Sequence, residues 1–169
     1  MKKIFCMALS AALLAGSVPA YAAEESLFTK TPHTFTARVG TTEFTKDGTA
    51  QPLDVPMYIK DGYVMLPLRT FMQALDADAE LVWEDGIQLA KVTMQDYTLS
   101  FDITGNRIWR NSSLLPSFGQ MEVKDGRVFV PLRDWEGVLK CFNRYIVDAD
   151  ALSWDAETKT AAVQLTELT

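Results

Sequence analysis

Residues 57–69 read MYIKDGYVMLPLR, and 64 residues further on, residues 121–133 read MEVKDGRVFVPLR. The two stretches share Lys-Asp-Gly, a valine two places later, and Pro-Leu-Arg. Asp-Gly between alternating apolar residues favours a tight β-hairpin turn, because both residues tolerate a positive φ. Proline lacks a backbone donor and has a fixed φ, so it suits the first turn of a helix. Each stretch therefore predicts a β-hairpin followed directly by a helix.

The same register extends in both directions from these stretches. Upstream, Phe44 aligns with Ile108 without a gap. Downstream, Leu-Val-Trp-Glu in the first copy is answered by Leu-Ser-Trp-Asp in the second, after an insertion of seven residues. An internal repeat of this kind indicates two copies of one structural unit. We therefore predict a polar leader followed by two repeats, with boundaries at 23–35, 36–98 and 99–169.

Hydrophobic periodicity indicates the elements of each unit. Residues 97–103 alternate apolar and polar side chains, which is typical of a half-buried strand. After Pro67, four apolar residues recur at the spacing of one helix face: Leu68, Phe71, Met72 and Leu75. A similar stripe follows Pro131, and each copy closes with a further apolar hairpin. The order predicts an α+β fold in which one helix covers the apolar face of an antiparallel sheet.

These residues resemble a known family. In the first copy the matching positions are Ile59-Lys60-Asp61-Gly62, Val64, Leu66-Pro67-Leu68-Arg69, Ala74-Leu75 and Trp83-Glu84. In the second copy they run from Val123 to Arg133 and from Leu152 to Thr160. The pattern resembles the copper amine oxidase N-terminal-like domain, or stalk domain. The resemblance implies that each repeat is an antiparallel sheet of about five strands around one short helix. It also implies an exported protein of mostly Gram-positive bacteria. In copper amine oxidases the same module is a non-catalytic stalk beside the enzyme.

The first 22 residues have the pattern of a signal peptide. Two lysines precede an apolar stretch at residues 4–15, and Ala20-Tyr21-Ala22 offers small side chains for cleavage. The apolar stretch is too short to cross a hydrocarbon core of about 30 Å as a stable helix. No later stretch approaches that length. We therefore expect a secreted, extracellular protein, free or associated with the cell wall, without a membrane span after signal removal.

The composition limits the chemistry that the chain can perform. A net charge of -6 argues against a nucleic-acid partner. An amine oxidase needs three His ligands and a tyrosine, usually after Asn, that becomes the quinone, whereas this chain has one His and no Asn-Tyr pair. We therefore expect no metal, no cofactor and no enzymatic activity, with His33 solvated. The acids that could serve a hydrolase are expected to lie in solvated loops: Asp76, Asp78, Glu80, Asp148, Asp150 and Asp155.

A recurring signature is interpreted as structural. It comprises Pro67, Arg69 and Trp83 in the first copy and Pro131, Arg133 and Trp154 in the second. We expect both tryptophans, together with Trp135, to lie in the core. Each arginine is expected to stack on the tryptophan of its unit and to pair with the following acid, Glu84 or Asp155. An anion clamp is the alternative interpretation of the arginines.

Three aromatic residues are candidates for contact with a partner or a glycan: Trp109, Tyr63 and Tyr97. Trp109 lies near a predicted turn, where it could stack on a sugar ring, and partial burial at the seam between the repeats is the alternative. Two functions remain open on this evidence. The first is an exported, non-catalytic stalk or spacer that acts at the bacterial cell surface through protein contacts. The second is a cell-wall or carbohydrate-binding module that uses exposed aromatic residues.

Overall fold

A computed structural model describes residues 27–94 and 97–169 of the chain. The predicted signal peptide and the start of the polar leader lie outside the described residues. The first half contains β1 Lys30–Arg38, β2 Phe44–Lys46, β3 Thr49–Ala50, β4 Tyr58–Lys60, β5 Tyr63–Pro67, α1 Leu68–Leu75, β6 Glu80–Glu84 and β7 Leu89–Met94. The second half contains β8 Tyr97–Asp102, β9 Arg107–Arg110, β10 Ser113–Leu115, β11 Glu122–Lys124, β12 Arg127–Pro131, α2 Trp135–Leu139, β13 Tyr145–Ile146, β14 Leu152–Asp155 and β15 Thr160–Leu168. Mostly antiparallel strands with two short helices confirm the α+β class.

A central four-stranded sheet joins the two copies, in the order β11-β12-β5-β4. It is built from the two predicted hairpins. At their turns Asp61 and Gly62 have φ values of 50° and 81°, and Asp125 and Gly126 have 49° and 71°. Two successive positive φ angles are typical of the type I′ turn, whose twist matches that of the flanking strands. The prediction of a hairpin at each Asp-Gly pair is confirmed.

The two hairpins meet about a local two-fold axis. Strands β5 and β12 are antiparallel, with Leu66 opposite Val130. These two residues occupy the same position in the repeat, so the axis passes between them. On either side, Met65 lies opposite Pro131 and Pro67 opposite Phe129. The internal repeat of the sequence is therefore expressed as approximate two-fold symmetry of the fold.

Each of the two outer sheets contains strands from both copies. One has the order β10-β9-β8-β7-β6, in which β6 and β7 close the first copy and β8 to β10 open the second. In the other, β15 pairs with β1, which leads to β2 and β3, while β14 and β13 pair with β15. The N-terminal strand thus lies beside the C-terminal strand. The copies exchange strands rather than forming one sheet each.

The two outer sheets have the same register. The pairing of Trp83 with Ala90 recurs as Trp154 with Ala161. The ladders that join strands of different copies also agree: Phe101 lies opposite Ala90 in one sheet, and Ala37 lies opposite Ala161 in the other. The seven inserted residues change none of these pairs, because they lie before β14. The insertion instead accompanies β13, whose Tyr145 pairs with Glu167 at the end of β15.

Both predicted boundaries between segments fall inside strands. The boundary at 35/36 lies within β1, so part of the predicted polar leader is a sheet strand. The boundary at 98/99 lies within β8. Alternating polarity shows which face of a strand is buried but not which strand lies beside it, so the exchange was not predicted. The repeats are units of sequence and symmetry, and their sheets are shared.

One continuous core fills the space between the sheets and the helices. The predicted face of α1 is buried, and so is the apolar stripe of the second copy, Leu132, Trp135, Leu139 and Phe142. In the second copy the helix opens with a 3-10 turn, 132–134, before α2 begins at Trp135. Phe71 and Trp135 meet edge to face with ring centroids 4.5 Å apart. Because these residues belong to different copies, the two helices share the core.

Candidate functional site

An open groove runs between an outer sheet and the margin of the central sheet. Its volume is about 340 Å³, and it extends from β6 to the β11–β12 hairpin. Leu68 and Ala90, both buried, are among its lining residues. We call it the Trp83 groove, defined by Leu68, Arg69, Leu81, Val82, Trp83, Ala90, Val123 and Val128.

The groove follows the free edge of β6. Among the described residues, this strand is the last in its sheet and pairs only with β7. Leu81, Val82 and Trp83 all line the groove although consecutive residues of a strand point to opposite faces. The cavity must therefore reach both sides of the strand edge. On the other bank, Val123 belongs to β11, the outermost strand of the central sheet.

Trp83 is exposed in this groove. It lies opposite the buried Ala90, on the inward side of its sheet, as the alternation of apolar residues along the strand predicts. It is nevertheless 37% exposed, because no further described strand lies beyond β6 in that sheet. Its indole N–H donates to Asp85 Oδ1 at 3.3 Å. Trp154 is 38% exposed at the equivalent edge, whereas Trp135 is fully buried. The prediction of a core position is wrong for Trp83 and Trp154.

The predicted lock between arginine and acid is absent from the described residues. Glu84 pairs instead with Lys91, at 2.5 Å. Asp155 accepts hydrogen bonds within its own turn, from the backbone N–H groups of Glu157 and Thr158. Arg69 and Arg133 are both exposed. Neither makes a hydrogen bond or an ion pair with any described residue, so their guanidinium groups are available to a partner.

The two signature prolines lie where strand becomes helix. Pro67 ends β5 and precedes α1 with φ of -70° and ψ of 122°. Pro131 ends β12 and precedes the 3-10 turn with φ of -56°. Both are buried, and the fixed φ of proline suits the first turn that follows. Their place in the fold puts Arg69 and Arg133 at the exposed start of each helical segment.

The three aromatic candidates do not form one surface. Trp109 lies opposite Ser100, on the outward face of its sheet, and is half-buried with the Arg107 guanidinium carbon 5.9 Å from its ring centre. Tyr97 lies three residues before Ser100 on the same strand, so its side chain points to the opposite face of the sheet. The Tyr97 hydroxyl accepts from Asn143 Nδ2 at 2.6 Å, and its ring lies beneath Arg110. Tyr63 is half-buried elsewhere, in the central sheet.

The single histidine is engaged by two carboxylates, so the prediction that it is solvated is wrong. His33 Nδ1 lies 2.6 Å from Asp47 Oδ2, and Nε2 lies 2.9 Å from Glu167 Oε2. The hydrogen bond from His33 lowers the pKa of Asp47 below its usual value. Among the described residues, no group of three or more His, Cys, Asp or Glu side chains could hold a metal ion. The residues present therefore do not fit the copper of the amine oxidases.

The acidic candidates for hydrolysis lie at the surface. Asp78, Glu80, Asp148, Asp150 and Asp155 are exposed, and Asp76 is half-buried and lies 3.9 Å from an Arg144 guanidinium nitrogen. Hydrogen bonds from Thr158 lower the pKa of Asp155, which is opposite to the change that a general acid requires.

A polar cluster over the central sheet was not found by sequence reasoning. The Glu122 carboxylate accepts from the Tyr58 hydroxyl and from Lys60 Nζ, and Lys124 Nζ lies 3.8 Å from the Tyr58 ring centre. Lys60 lowers the pKa of Glu122, while burial is the main cause that raises the pKa of Tyr58. The signal was available in the repeat, because Tyr58 aligns with Glu122 and Lys60 with Lys124. Residues that align in this way approach one another near the two-fold axis.

The fold is β-rich and leaves the outer edge of β6 open beside the groove. Comparison with known families gives its class. The profile of the copper amine oxidase N-terminal domain matches residues 22–80 and 45–143, and the chain belongs to this family. The matched domain is the non-catalytic one, so this part of the chain is an accessory module.

No curated protein and no solved structure matches the chain. The two family matches overlap at residues 45–80, the segment that includes the first central hairpin and α1. Within the described part of the chain, no helix is long and apolar enough to cross a membrane.

Proposed function

We propose that the mature protein is an exported, non-catalytic interaction module that acts at the bacterial cell surface through protein contacts. The family assignment supports the non-catalytic role, and the signal-peptide pattern supports export. The observation that carries the proposal is the Trp83 groove. A cluster of exposed apolar side chains beside a free strand edge is typical of a surface that contacts another protein.

The side chains around the groove are of the kinds that contact another protein. Val82 is 56% exposed and Val123 is 40% exposed, and both line the groove together with Trp83. Tryptophan and arginine are the residues most enriched among strong contacts in protein interfaces. Arg69 adds an unpaired guanidinium to the same groove. The groove therefore combines apolar contact with a charged group that can direct orientation.

A crosslinking experiment tests this proposal in cells. A photoreactive benzoylphenylalanine is introduced at Val82, in the groove, and separately at Thr93, which is exposed on the adjacent strand β7. We expect the variant at position 82 to form an adduct in which mass spectrometry detects peptides of a second protein, and the variant at 93 to form none. Adducts that are digested by lysozyme instead, or equal labelling at both positions, would contradict the proposal.

A second candidate function is binding to cell-wall glycan through Trp109. The supporting observation is that this side chain lies on the outward face of a sheet, opposite Leu114, which is 55% exposed. An indole on an outward face can stack on a sugar ring. Binding to purified peptidoglycan separates the two candidates. Retention that is lost in Trp109→Ala and kept in Trp83→Ala would favour the glycan function.

A further inference from the structure

We propose that the Trp83 groove binds an extended polypeptide segment bearing a carboxylate side chain, which adds to the free edge of β6 as a further strand. This inference rests on the proposed function and specifies the partner that the groove accepts. It is argued from three features of the groove: its open strand edge, its apolar lining, and the charge of Arg69.

The strand edge favours a polypeptide as the occupant. Within the described part of the chain, β6 has β7 as its only ladder partner, and no other backbone hydrogen bond involves residues 80–84. Its outer N–H and C=O groups are therefore free. An extended chain can satisfy these groups at regular spacing by adding a strand, which a sugar polymer cannot reproduce. β6 is also long enough, with five residues, to pair with a short segment.

The lining gives the segment a place for alternate side chains. Successive residues of a strand point to opposite faces, so every second side chain of an added strand would face the groove. On that side Leu68, Ala90 and Val128 line the cavity, and Trp83 flanks it. Apolar residues at alternate positions of the segment would therefore be buried. The opposite side chains of the segment would remain in water.

The charge of the groove selects an acidic segment. Arg69 and Arg127 both line the groove. Arg127 already pairs with Asp54, at 2.7 Å from Nε, whereas Arg69 has no partner among the described residues. The acid at the rim, Asp85, accepts hydrogen bonds from the Trp83 indole and the Gln88 amide. A carboxylate on the bound segment would therefore complement the unpaired Arg69, and guanidinium–carboxylate pairing adds geometric specificity.

The two-fold symmetry provides a matched control within the molecule. Arg133 is the counterpart of Arg69 and is likewise exposed and unpaired in the described structure. The corresponding edge strand, β14, has Ser153 at the position of Val82. Its surface is therefore less apolar, and the proposal is confined to β6. Substitution of Arg133 alters an equivalent side chain without altering the Trp83 groove.

Selection from a library of random twelve-residue peptides, displayed on phage and panned on the mature chain, tests the inference. We expect recovered peptides to alternate apolar residues with Asp or Glu. Their dissociation constants should rise at least tenfold for Arg69→Ala and for Val82→Glu, which adds a like charge at an exposed position. They should change less than twofold for Arg133→Ala. N-methylation of alternate peptide amides should abolish binding, because it removes the strand hydrogen bonds.

Several outcomes would overturn the inference. One is failure to recover any peptide whose binding depends on Arg69 and Val82; another is the recovery of predominantly basic peptides. Binding that survives N-methylation in both registers would also contradict strand addition. The result separates this inference from the proposed function. A protein adduct at position 82 in cells without selected peptides would overturn the inference and leave the proposed function standing, whereas selected peptides without an adduct would show that the groove binds such a segment but would contradict the protein contact proposed in cells.

Discussion

Asp134 is the one charged side chain that is almost fully buried in the described structure, with 1% of its surface exposed. It lies where the 3-10 turn meets α2. Its carboxylate accepts from the Phe118 backbone N–H at 2.7 Å and from the Ser117 hydroxyl at 3.0 Å. These bonds fix the loop before β11 to the helical segment. Burial raises the pKa of Asp134 even though the hydrogen bonds act in the opposite direction.

The raised pKa of Asp134 predicts a pH dependence of stability. Above its unfolded value of about 3.8, the unfolded chain ionises this group first, so the folded protein loses stability as pH rises through the folded pKa. Asp134→Asn keeps an acceptor for the Phe118 N–H and can donate from Nδ2 to the Ser117 hydroxyl oxygen, which can itself donate to the Gly119 carbonyl, and it does not ionise. We expect the free energy of unfolding of Asp134→Asn, relative to the wild type, to increase with pH across this window, as measured by urea titration at several pH values.

The control for this prediction is Asp134→Ala. It removes the acceptor and leaves the Phe118 N–H without its partner, so it should be about 1–3 kcal/mol less stable than Asp134→Asn across the pH range. A difference between wild type and Asp134→Asn that does not vary with pH would show that the carboxyl is not held against its ionisation.

Substitution of the two exposed arginines should have little effect on the free energy of unfolding. The Arg69 and Arg133 side chains form no hydrogen bond or ion pair with a described residue. Substitutions at exposed positions without partners usually change stability by less than about 0.5 kcal/mol. We therefore expect Arg69→Ala and Arg133→Ala to have urea midpoints close to that of the wild type. A loss of about 2 kcal/mol in the free energy of unfolding of either variant would contradict this expectation and support the predicted pairing with Glu84 or Asp155.

At the scale of elements, replacing each of two glycines of the second copy by alanine should change stability in opposite directions. Gly126, at the turn of the β11–β12 hairpin, has φ of +71°, and a Cβ added there would meet no atom within 4 Å. The cost of Gly126→Ala is therefore backbone strain alone, about 1–2 kcal/mol. Gly137 lies within α2, where an added Cβ likewise meets no atom, so Gly137→Ala should stabilise the protein by about 0.5–1 kcal/mol.

Thermal and urea unfolding of the two variants measure this prediction directly. Each variant is the control of the other, because the substitution is identical and only the backbone conformation differs. A destabilising Gly137→Ala would mean that α2 has no room for the methyl group. A neutral Gly126→Ala would mean that the turn can relax from its left-handed conformation.

Local elements could be predicted from the sequence because local chemistry determines them. The Asp-Gly pairs specify primed turns, and the spacing of Leu68, Phe71, Met72 and Leu75 specifies one helix face. The exposure of Trp83 could not be predicted in this way. Its apolar period correctly indicates an inward-facing side chain, but exposure depends on whether another strand follows β6, which is a property of the complete sheet.

At the scale of the whole molecule, the repeat was predictable and the exchange of strands was not. Identical registers in the two outer sheets show that each sheet is the two-fold equivalent of the other. Pairing β7 with β8 needs only consecutive strands, whereas pairing β1 with β15 joins opposite ends of the chain. Both pairings produce the same local geometry. Periodicity alone therefore cannot distinguish an exchanged pair of repeats from two separate domains.

The strand exchange has a consequence for the edges that carry the candidate site. Each outer sheet ends at the last hairpin of one copy, which places β6 beside the hairpin β11–β12 of the other copy. The Trp83 groove is thus lined by residues of both copies. A protein made of two independent repeats would not form it. The fold and the site therefore depend on the same feature.

Half-chain complementation tests this feature most directly. Residues 23–94 and 97–169 are produced as separate polypeptides, purified, and mixed in equal amounts. We predict that neither half alone is a folded monomer, because each lacks strands that complete its outer sheets, and that mixing restores the circular dichroism and the cooperative unfolding of the intact chain. Two halves that each unfold cooperatively as monomers, with spectra unchanged on mixing, would contradict the shared architecture.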